Sequence, residues 1–319
     1  MLLNKETIEN LSVNKQGADY WNTIKKNISE NFGQIINNPY FDNYLKTKLD
    51  ISFEFDSEDK PKIDGPNAYA GKLENKKYEI VISRELLILM RHYSYKIIDY
   101  SLLFSELERC EKNKKTLSQV SDIIFYFWMD FICLHEWSHI VKGHLEDYDN
   151  NNSTKKLHFE FGKLCEDNED SIYLEIDADR NAGKIMFGRF AWSIPRIQEV
   201  LNVDESEIVF NFCIGMLYLF DLIFFIGGNN RQCHPSPVDR MMILGASMSE
   251  ALHIKHDILK MSEKELNKIV ERSAQRFILE YHIDYKLNAS KMLNEFPKLL
   301  EEYTKKMKDL KLSNYDFIK

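Results

Sequence analysis

The residues best suited to chemistry lie in one apolar segment, 131–145, which reads FICLHEWSHIVKGHL. Within it, His135, Glu136 and His139 form the pattern H-E-x-x-H. On a helix, residues four apart share a face, so both imidazoles can bind one metal ion while Glu136 lies beside it. Zinc lowers the pKa of a bound water from about 15.7 to about 7, and a neighbouring carboxylate can take the proton as that water attacks a peptide carbonyl. The segment therefore predicts a Zn²⁺ site with Glu136 as general base.

A structural interpretation of the same segment makes His135 and His139 two hydrogen-bonded histidines on a buried helix. Glu136 weighs against it, because a carboxylate between them is costly to bury without a metal ion or another partner. The metal interpretation is preferred for that reason.

A catalytic zinc site needs a third protein ligand and one open position. The extended pattern H-E-x-x-H-x-x-G-x-x-H fails here, because Lys142 and Leu145 occupy its last two positions and His144 is one residue out of register. Glu175 is the better candidate, since Asp179 follows one helical turn later and a carboxylate there can hold the outer nitrogen of a zinc-bound histidine. The alternative for this segment is an ordinary solvated acidic face.

A third segment, HPSPVDR, contains His234 and Arg240. A histidine or arginine opposite the metal can stabilise the oxyanion of a tetrahedral intermediate. Taken alone, the segment is more typical of a proline-containing turn that begins a helix. Its position after the two zinc motifs favours the functional interpretation.

The motifs together resemble those of gluzincin metallopeptidases of the HtpX, Oma and prenyl-protease type. In that family a strand with N-A-F-A precedes H-E-x-x-H, E-x-x-x-D-x-x-A and H-P-x-x-x-x-R; the matching segments here are NAYA at 67–70, HEWSH at 135–139, EIDADRNA at 175–182 and HPSPVDR at 234–240. The resemblance covers about 67–245. It implies zinc on His135, His139 and Glu175, Glu136 as base, Asp179 behind a ligand, and His234 with Arg240 near the oxyanion.

The resemblance also implies that Asn67, Ala68 and Tyr69 lie on an edge strand, where an extended substrate adds its own strand. Those relatives are mostly embedded in membranes, whereas this chain lacks clear spanning helices. A soluble phage-exclusion protease of the Lit type has a similar zinc segment and is closer in size.

Composition limits the choice of partners and compartment. The formal net charge of −8 argues against a general nucleic-acid or anionic-membrane surface. Five scattered cysteines without C-x-x-C spacing fit reduced thiols in a cytoplasmic protein. The longest apolar run, 208–228, is interrupted by Asn211 and Asp221, which favours a buried core helix over a membrane span.

Hydrophobic periodicity gives the elements that must position these residues. Strands are predicted at 51–55, 67–70 and 78–83, a polar loop at 144–169, and helices at 84–108, 117–142, 171–190, 208–226, from about 240, and through much of 262–319. The predicted fold class is α+β: a predominantly helical, zincin-like metallopeptidase domain with a small antiparallel sheet. We assign 1–50 to a helical N-terminal extension, 51–245 to the catalytic domain, and 246–319 to a helical C-terminal segment packed on it.

The resulting hypothesis is a zinc endopeptidase acting on a protein or peptide substrate. Two alternatives stay open: a regulatory or phage-defence protease that is idle until an activating partner binds, and a non-catalytic interaction module stabilised by zinc. Glu136 argues against the last, because a purely structural site has no need of a general base and prefers four closed ligands.

Overall fold

A computed structural model describes most of the chain and is largely helical. The described residues are 18–37, 49–56, 62–63, 65–73, 77–100, 114–145, 158–160, 171–226, 235–254, 259–281 and 297–307. Their helices and one small sheet confirm the α+β class with a helical majority. The division into a catalytic domain with two extensions stays a prediction.

The elements follow one another in an order close to the predicted one. The helices are α1 (Ala18–Ile36), α2 (Arg84–Tyr100), α3 (Lys114–Val141), α4 (Ser171–Leu201), α5 (Glu205–Ile226), α6 (Pro237–Ile254), α7 (Glu263–Tyr281) and α8 (297–307). The strands are β1 (Asp50–Phe55), β2 (Ala68–Lys72), β3 (Lys77–Ile82) and β4 (His158–Glu160). The predicted loop at 144–169 therefore contains a short strand.

The sheet has the order β1-β3-β2-β4 and is mixed, so the prediction of an antiparallel sheet is wrong. Strand β2 pairs antiparallel with both β3 and β4, but β1 pairs parallel with β3. Alternating hydrophobicity identifies a strand without identifying its neighbour. Here β1 joins the far side of β3 instead of β2, and that position makes its pairing parallel.

Helix α3 is the centre of the hydrophobic core. It contacts α1, α2, α4, α5, β2 and β3. Phe125, Trp128, Met129, Phe131 and Ile132 on it are all buried. A helix that is apolar on every side is stable only when other elements surround it, so the functional residues near its C-terminal end are held from several directions.

Helix α5 is the one described helix that is long and apolar enough, by length and composition, to cross a membrane. In its most apolar window, 78% of the residues are buried inside the fold. It packs against α6 and α7, with Tyr218 edge-on to the buried ring of Phe277 at 5.6 Å between centroids. These contacts are those of a core helix.

Candidate metal centre

Helix α3 carries His135, Glu136 and His139 in its last two turns, and all three side chains are buried. The Nε2 atoms of the two histidines lie 3.1 Å apart. The four-residue spacing produces this approach, because both side chains leave the same face of the helix.

Glu175, near the start of α4, completes a group of three ligand atoms. Its Oε2 lies 3.4 Å from His135 Nε2, and its Oε1 lies 3.4 Å from His139 Nε2. The three side chains could hold a metal ion, since one atom from each lies within 4.8 Å of the others. The structure thus brings together the three residues that the sequence predicted as ligands.

The separations of these atoms fit a small tetrahedral ion. Ligands held at about 2.0–2.2 Å in tetrahedral geometry lie roughly 3.3 Å from one another. The observed separations are 3.1, 3.4 and 3.4 Å. Two imidazoles and one carboxylate are also the ligand set of a hydrolytic zinc site, so both the chemistry and the spacing fit Zn²⁺.

Asp179 and Arg240 hold this group through contacts with His135 and Glu175. Asp179 Oδ1 is 2.9 Å from His135 Nδ1, as predicted for a carboxylate behind a zinc-bound histidine. Arg240 donates from Nη1 to Asp179 Oδ1 at 2.9 Å and from Nη2 to Glu175 Oε2 at 3.2 Å. The buried guanidinium compensates two buried carboxylates, which would otherwise repel each other.

The position of Arg240 is set by the start of α6. Ser236 Oγ accepts a hydrogen bond from the Asp239 backbone N–H at 3.1 Å, and Asp239 Oδ2 accepts one from the Ser236 backbone N–H at 3.2 Å. This is a reciprocal helix cap, with Pro237 at the first helical position. The cap fixes where the helix begins, and Arg240 leaves its first turn toward Glu175.

Glu136 is buried beside His135 and is close enough to Glu175 for their charges to interact. Burial raises the pKa of Glu136 to about 8, although the charge of His135 and a backbone hydrogen bond from Ala70 act in the opposite direction. Its Oε2 is buried with no hydrogen-bond partner. An unpaired buried oxygen costs stability, and such an atom beside a group of metal ligands is what a general base needs.

The two histidines differ in their proton affinity. Burial acts to lower the pKa of His135, but Glu175 and Asp179 outweigh it and raise that pKa to about 10. Burial lowers the pKa of His139 to about 3. The carboxylates around His135 and the burial of His139 thus shift the two pKa values in opposite directions.

The outer nitrogen of His139 contacts His144, which the sequence analysis excluded as a metal ligand, and His144 leads to two residues that the sequence did not identify. His139 Nδ1 is 2.9 Å from His144 Nδ1, and His144 Nε2 is 3.2 Å from Asp177 Oδ2. Tyr303 on α8 donates its hydroxyl to Asp177 Oδ1 at 2.8 Å. Burial tends to raise the pKa of Asp177, but hydrogen bonds from His144 and Tyr303 and the charge of Lys142 hold it below its usual value.

Gly143 explains how His144 can contact His139 on α3, although His144 lies beyond the end of that helix. Its φ of 75° lies in the left-handed region, and its N–H donates to the Ile140 carbonyl at 3.0 Å. The residue therefore ends α3, close to the predicted helix end at 142. The same reversal turns His144 inward, and Gly143 is the signal that could have located it.

The side of β2 that faces away from β3 borders the candidate site. Asn67 and Leu73 direct backbone groups toward β3, with hydrogen bonds of 2.8 Å from Ser83 N–H and 2.7 Å to Lys77 O. Backbone groups alternate along a strand, so those of Ala68 and Ala70 point to the opposite edge. Ala70 is also the residue whose N–H reaches Glu136.

The prediction of an edge strand at Asn67 to Tyr69 needs correction. Strand β4 covers β2, with Tyr69 opposite Glu160, Ala70 opposite Phe159 and Gly71 opposite His158. The sequence pattern could not show this, because the predicted loop contained no recognisable strand of this length.

The side chains at this end of β2 have structural partners. Asn67 Oδ1 accepts the Ala68 N–H at 2.9 Å, and the Tyr69 hydroxyl donates to Glu79 Oε1 at 3.0 Å. The Ala68 N–H is therefore already paired, and Ala68 itself is buried. His234 lies outside the described residues, and its predicted role stays a prediction.

Comparisons of the chain with models of protein families, with curated proteins and with solved structures found no match.

Proposed function

We propose that this chain is a zinc-dependent endopeptidase with a zincin-like catalytic core. The observation that carries the proposal is the group of His135, His139 and Glu175, with ligand atoms at tetrahedral separations and the unpaired Oε2 of Glu136 nearby. The order of the motifs along the chain supports peptide hydrolysis over other hydrolytic reactions.

The proposed chemistry uses few groups of the chain itself. Bound zinc would supply Lewis-acid polarisation of the scissile carbonyl and a lower pKa for the attacking water. The Glu136 carboxylate takes a proton from that water and delivers it to the leaving nitrogen. Arg240 and Asp179 hold Glu175 and His135 in place, and stabilisation of the oxyanion by His234 or Arg240 stays a prediction.

Strand β4 occupies part of the β2 edge that an extended peptide would need, because it pairs opposite Tyr69, Ala70 and Gly71. Ala70 lies next to Glu136. A peptide that took the place of β4 there would bring a carbonyl carbon near the general base.

The test compares wild type with Glu136→Gln for zinc content and for cleavage. Both proteins should contain about one zinc ion per chain, since Glu136 is not a ligand. The variant should lose about 10²- to 10⁴-fold in cleavage rate, the usual contribution of general acid–base catalysis. Cleavage is measured as new protein N-termini after expression and as hydrolysis of a peptide library.

Glu250→Gln is the matched control, because Glu250 is a partly exposed carboxylate on α6 that pairs with Arg180 and Lys184. It should cleave like wild type. Purified wild type without stoichiometric zinc, or a Glu136→Gln variant as fast as wild type, would show that the proposal is wrong.

A second candidate is the same protease held idle until a partner binds. Two observations favour it: β4 pairs with β2 from Tyr69, the last residue of the segment expected to receive substrate, to Gly71, and the side chains of His135, Glu136 and His139 are all buried. In this version, activation separates β4 from β2 and frees the backbone of Ala70.

Phe159→Pro tests this candidate, because proline removes the backbone N–H opposite Ala70 and disfavours strand pairing. We expect cleavage of the peptide library to rise at least about tenfold over wild type. The double variant with Glu136→Gln should be inactive. Equal rates for wild type and Phe159→Pro would exclude autoinhibition by β4.

A further inference from the structure

His135 and His139, the two histidines of the candidate metal site, are supported in different ways. His135 has a carboxylate directly behind it, since its Nδ1 lies 2.9 Å from Asp179. His139 has a second imidazole behind it, and the carboxylate of Asp177 comes only after that ring. The inserted ring is His144.

The distances from His139 to His144 and from His144 to Asp177 allow one arrangement of the protons. If His139 binds a metal through Nε2, its proton is on Nδ1, because a neutral imidazole carries only one. His144 Nδ1, 2.9 Å away, must then accept that proton's hydrogen bond. The proton of His144 is consequently on Nε2, where it is donated to Asp177 Oδ2 at 3.2 Å.

Asp177 is held at its far side by the C-terminal part of the chain. Its Oδ1 accepts the Tyr303 hydroxyl at 2.8 Å. His144, Asp177 and Tyr303 are all buried. Every donor in the chain from His139 to Tyr303 faces an acceptor, as buried polar networks require.

We propose that His144, Asp177 and Tyr303 are positioning residues that fix the tautomer and orientation of His139 and so couple helix α8 to metal affinity. The inference rests on the proposed function in one respect only, that His139 binds the metal. Partners behind metal ligands typically change metal affinity by about 10- to 100-fold when they are removed.

Zinc affinity, measured by competition with a chromophoric chelator, tests the inference. His144→Leu removes the acceptor and should weaken zinc binding by about 10- to 100-fold. His144→Asn keeps an acceptor near the position of Nδ1 and should recover most of that loss. Tyr303→Phe removes only the outermost hydroxyl and should weaken binding less than His144→Leu.

Ser138→Ala is the matched control. Ser138 Oγ accepts a hydrogen bond from Asn181 Nδ2 at 2.9 Å, so this variant also breaks a buried polar contact between α3 and α4. It should lower the unfolding temperature of the zinc-free protein and leave zinc affinity within about twofold of wild type, since it touches no ligand. A purely structural role for His144 would make His144→Leu behave in the same way.

The second measurement is ¹⁵N NMR of histidine-labelled, zinc-loaded wild type, which distinguishes the two imidazole tautomers. The expected result is a proton on Nδ1 of His139 and on Nε2 of His144. A proton on Nδ1 of His144, or equal zinc affinity in wild type and His144→Leu, would overturn the network alone. Wild type that binds no zinc would overturn the network and the proposed function together.

Discussion

At the scale of single residues, buried charge in this protein is compensated locally. Arg240 contacts both Glu175 and Asp179, and Lys142 lies 3.7 Å from Asp177 Oδ2. Removing one partner of such a group leaves a buried charge uncompensated, which costs more than the pair itself contributes. The ligand positions therefore depend on residues that need never touch a metal.

Asp130 on α3 is a buried carboxyl away from the metal group. It accepts a hydrogen bond from Asn31 Nδ2 at 2.7 Å and lies 3.4 Å from Arg189 Nη1. Burial raises the pKa of Asp130 from 3.8 to about 6, although Arg189 and Asn31 act to lower it. The folded protein therefore favours the neutral Asp130 carboxyl more than the unfolded chain does.

The sign of the resulting pH dependence follows from this raised pKa. The stability that the neutral carboxyl provides is fully present below about pH 4 and is lost as the pH rises through about 6. Asp130→Asn removes this dependence while keeping an oxygen for Asn31. Between pH 4 and pH 8, the free energy of unfolding of wild type should fall by up to about 3 kcal/mol relative to the variant.

Urea unfolding of both proteins at several pH values measures that difference. A difference between wild type and Asp130→Asn that stays constant from pH 4 to pH 8 would contradict the assignment.

Spacing within one helix made part of the site predictable. His135 and His139 are one turn apart, as are Glu175 and Asp179, so each pair needs only a regular helix to share a face. His144 was not predictable in this way, because its direction depends on the backbone reversal at Gly143. Tyr303 lies 126 residues from its partner Asp177, and no local pattern links the two.

At the scale of elements, the close approach of α4 and α6 brings Arg240 to Glu175, one of the three candidate metal ligands. Gly183 on α4 makes this approach feasible, since a Cβ there would lie 2.9 Å from Leu244 Cδ1 and 3.2 Å from Ser247 Cβ. Both of those residues are on α6. A methyl group at position 183 would therefore require Leu244 and Ser247 to shift.

Gly183→Ala should lower the free energy of unfolding by about 1–3 kcal/mol, the usual cost of overpacking. Gly188→Ala on the same helix is the control, because no atom lies within 4 Å of the Cβ position there. It should raise stability by about 0.5–1 kcal/mol through better helix propensity. Chemical denaturation of the two variants checks the contrast; similar changes in both would mean that the approach of α6 does not depend on Gly183.

The individual elements were easier to predict than their pairing. Periodicity located β1, β2, β3 and the long helices to within a few residues, except that α4 continues well past the predicted end at 190. The all-antiparallel sheet and the edge position of β2 were predicted wrongly, since strand pairing depends on contacts between distant segments.

At the scale of the whole molecule, one core joins nearly every described element around α3. Helix α5 has the length and composition of a membrane span but is mostly enclosed by other helices. Length and mean hydropathy could not distinguish a membrane span from a buried core helix. The polar residues Asn211 and Asp221 favoured the buried core helix. The overall class was predictable because so many segments have a helical period.

The contact of Tyr303 with Asp177 has a consequence for how the protein matures. A ribosome makes His135, His139 and Glu175 long before it makes residue 303, so a nascent chain has all its ligands while His139 still lacks its full support. Under the proposed network, full metal affinity would be reached only after α8 has been synthesised and has docked. A nascent chain would then hold a metal ion less tightly than the finished protein.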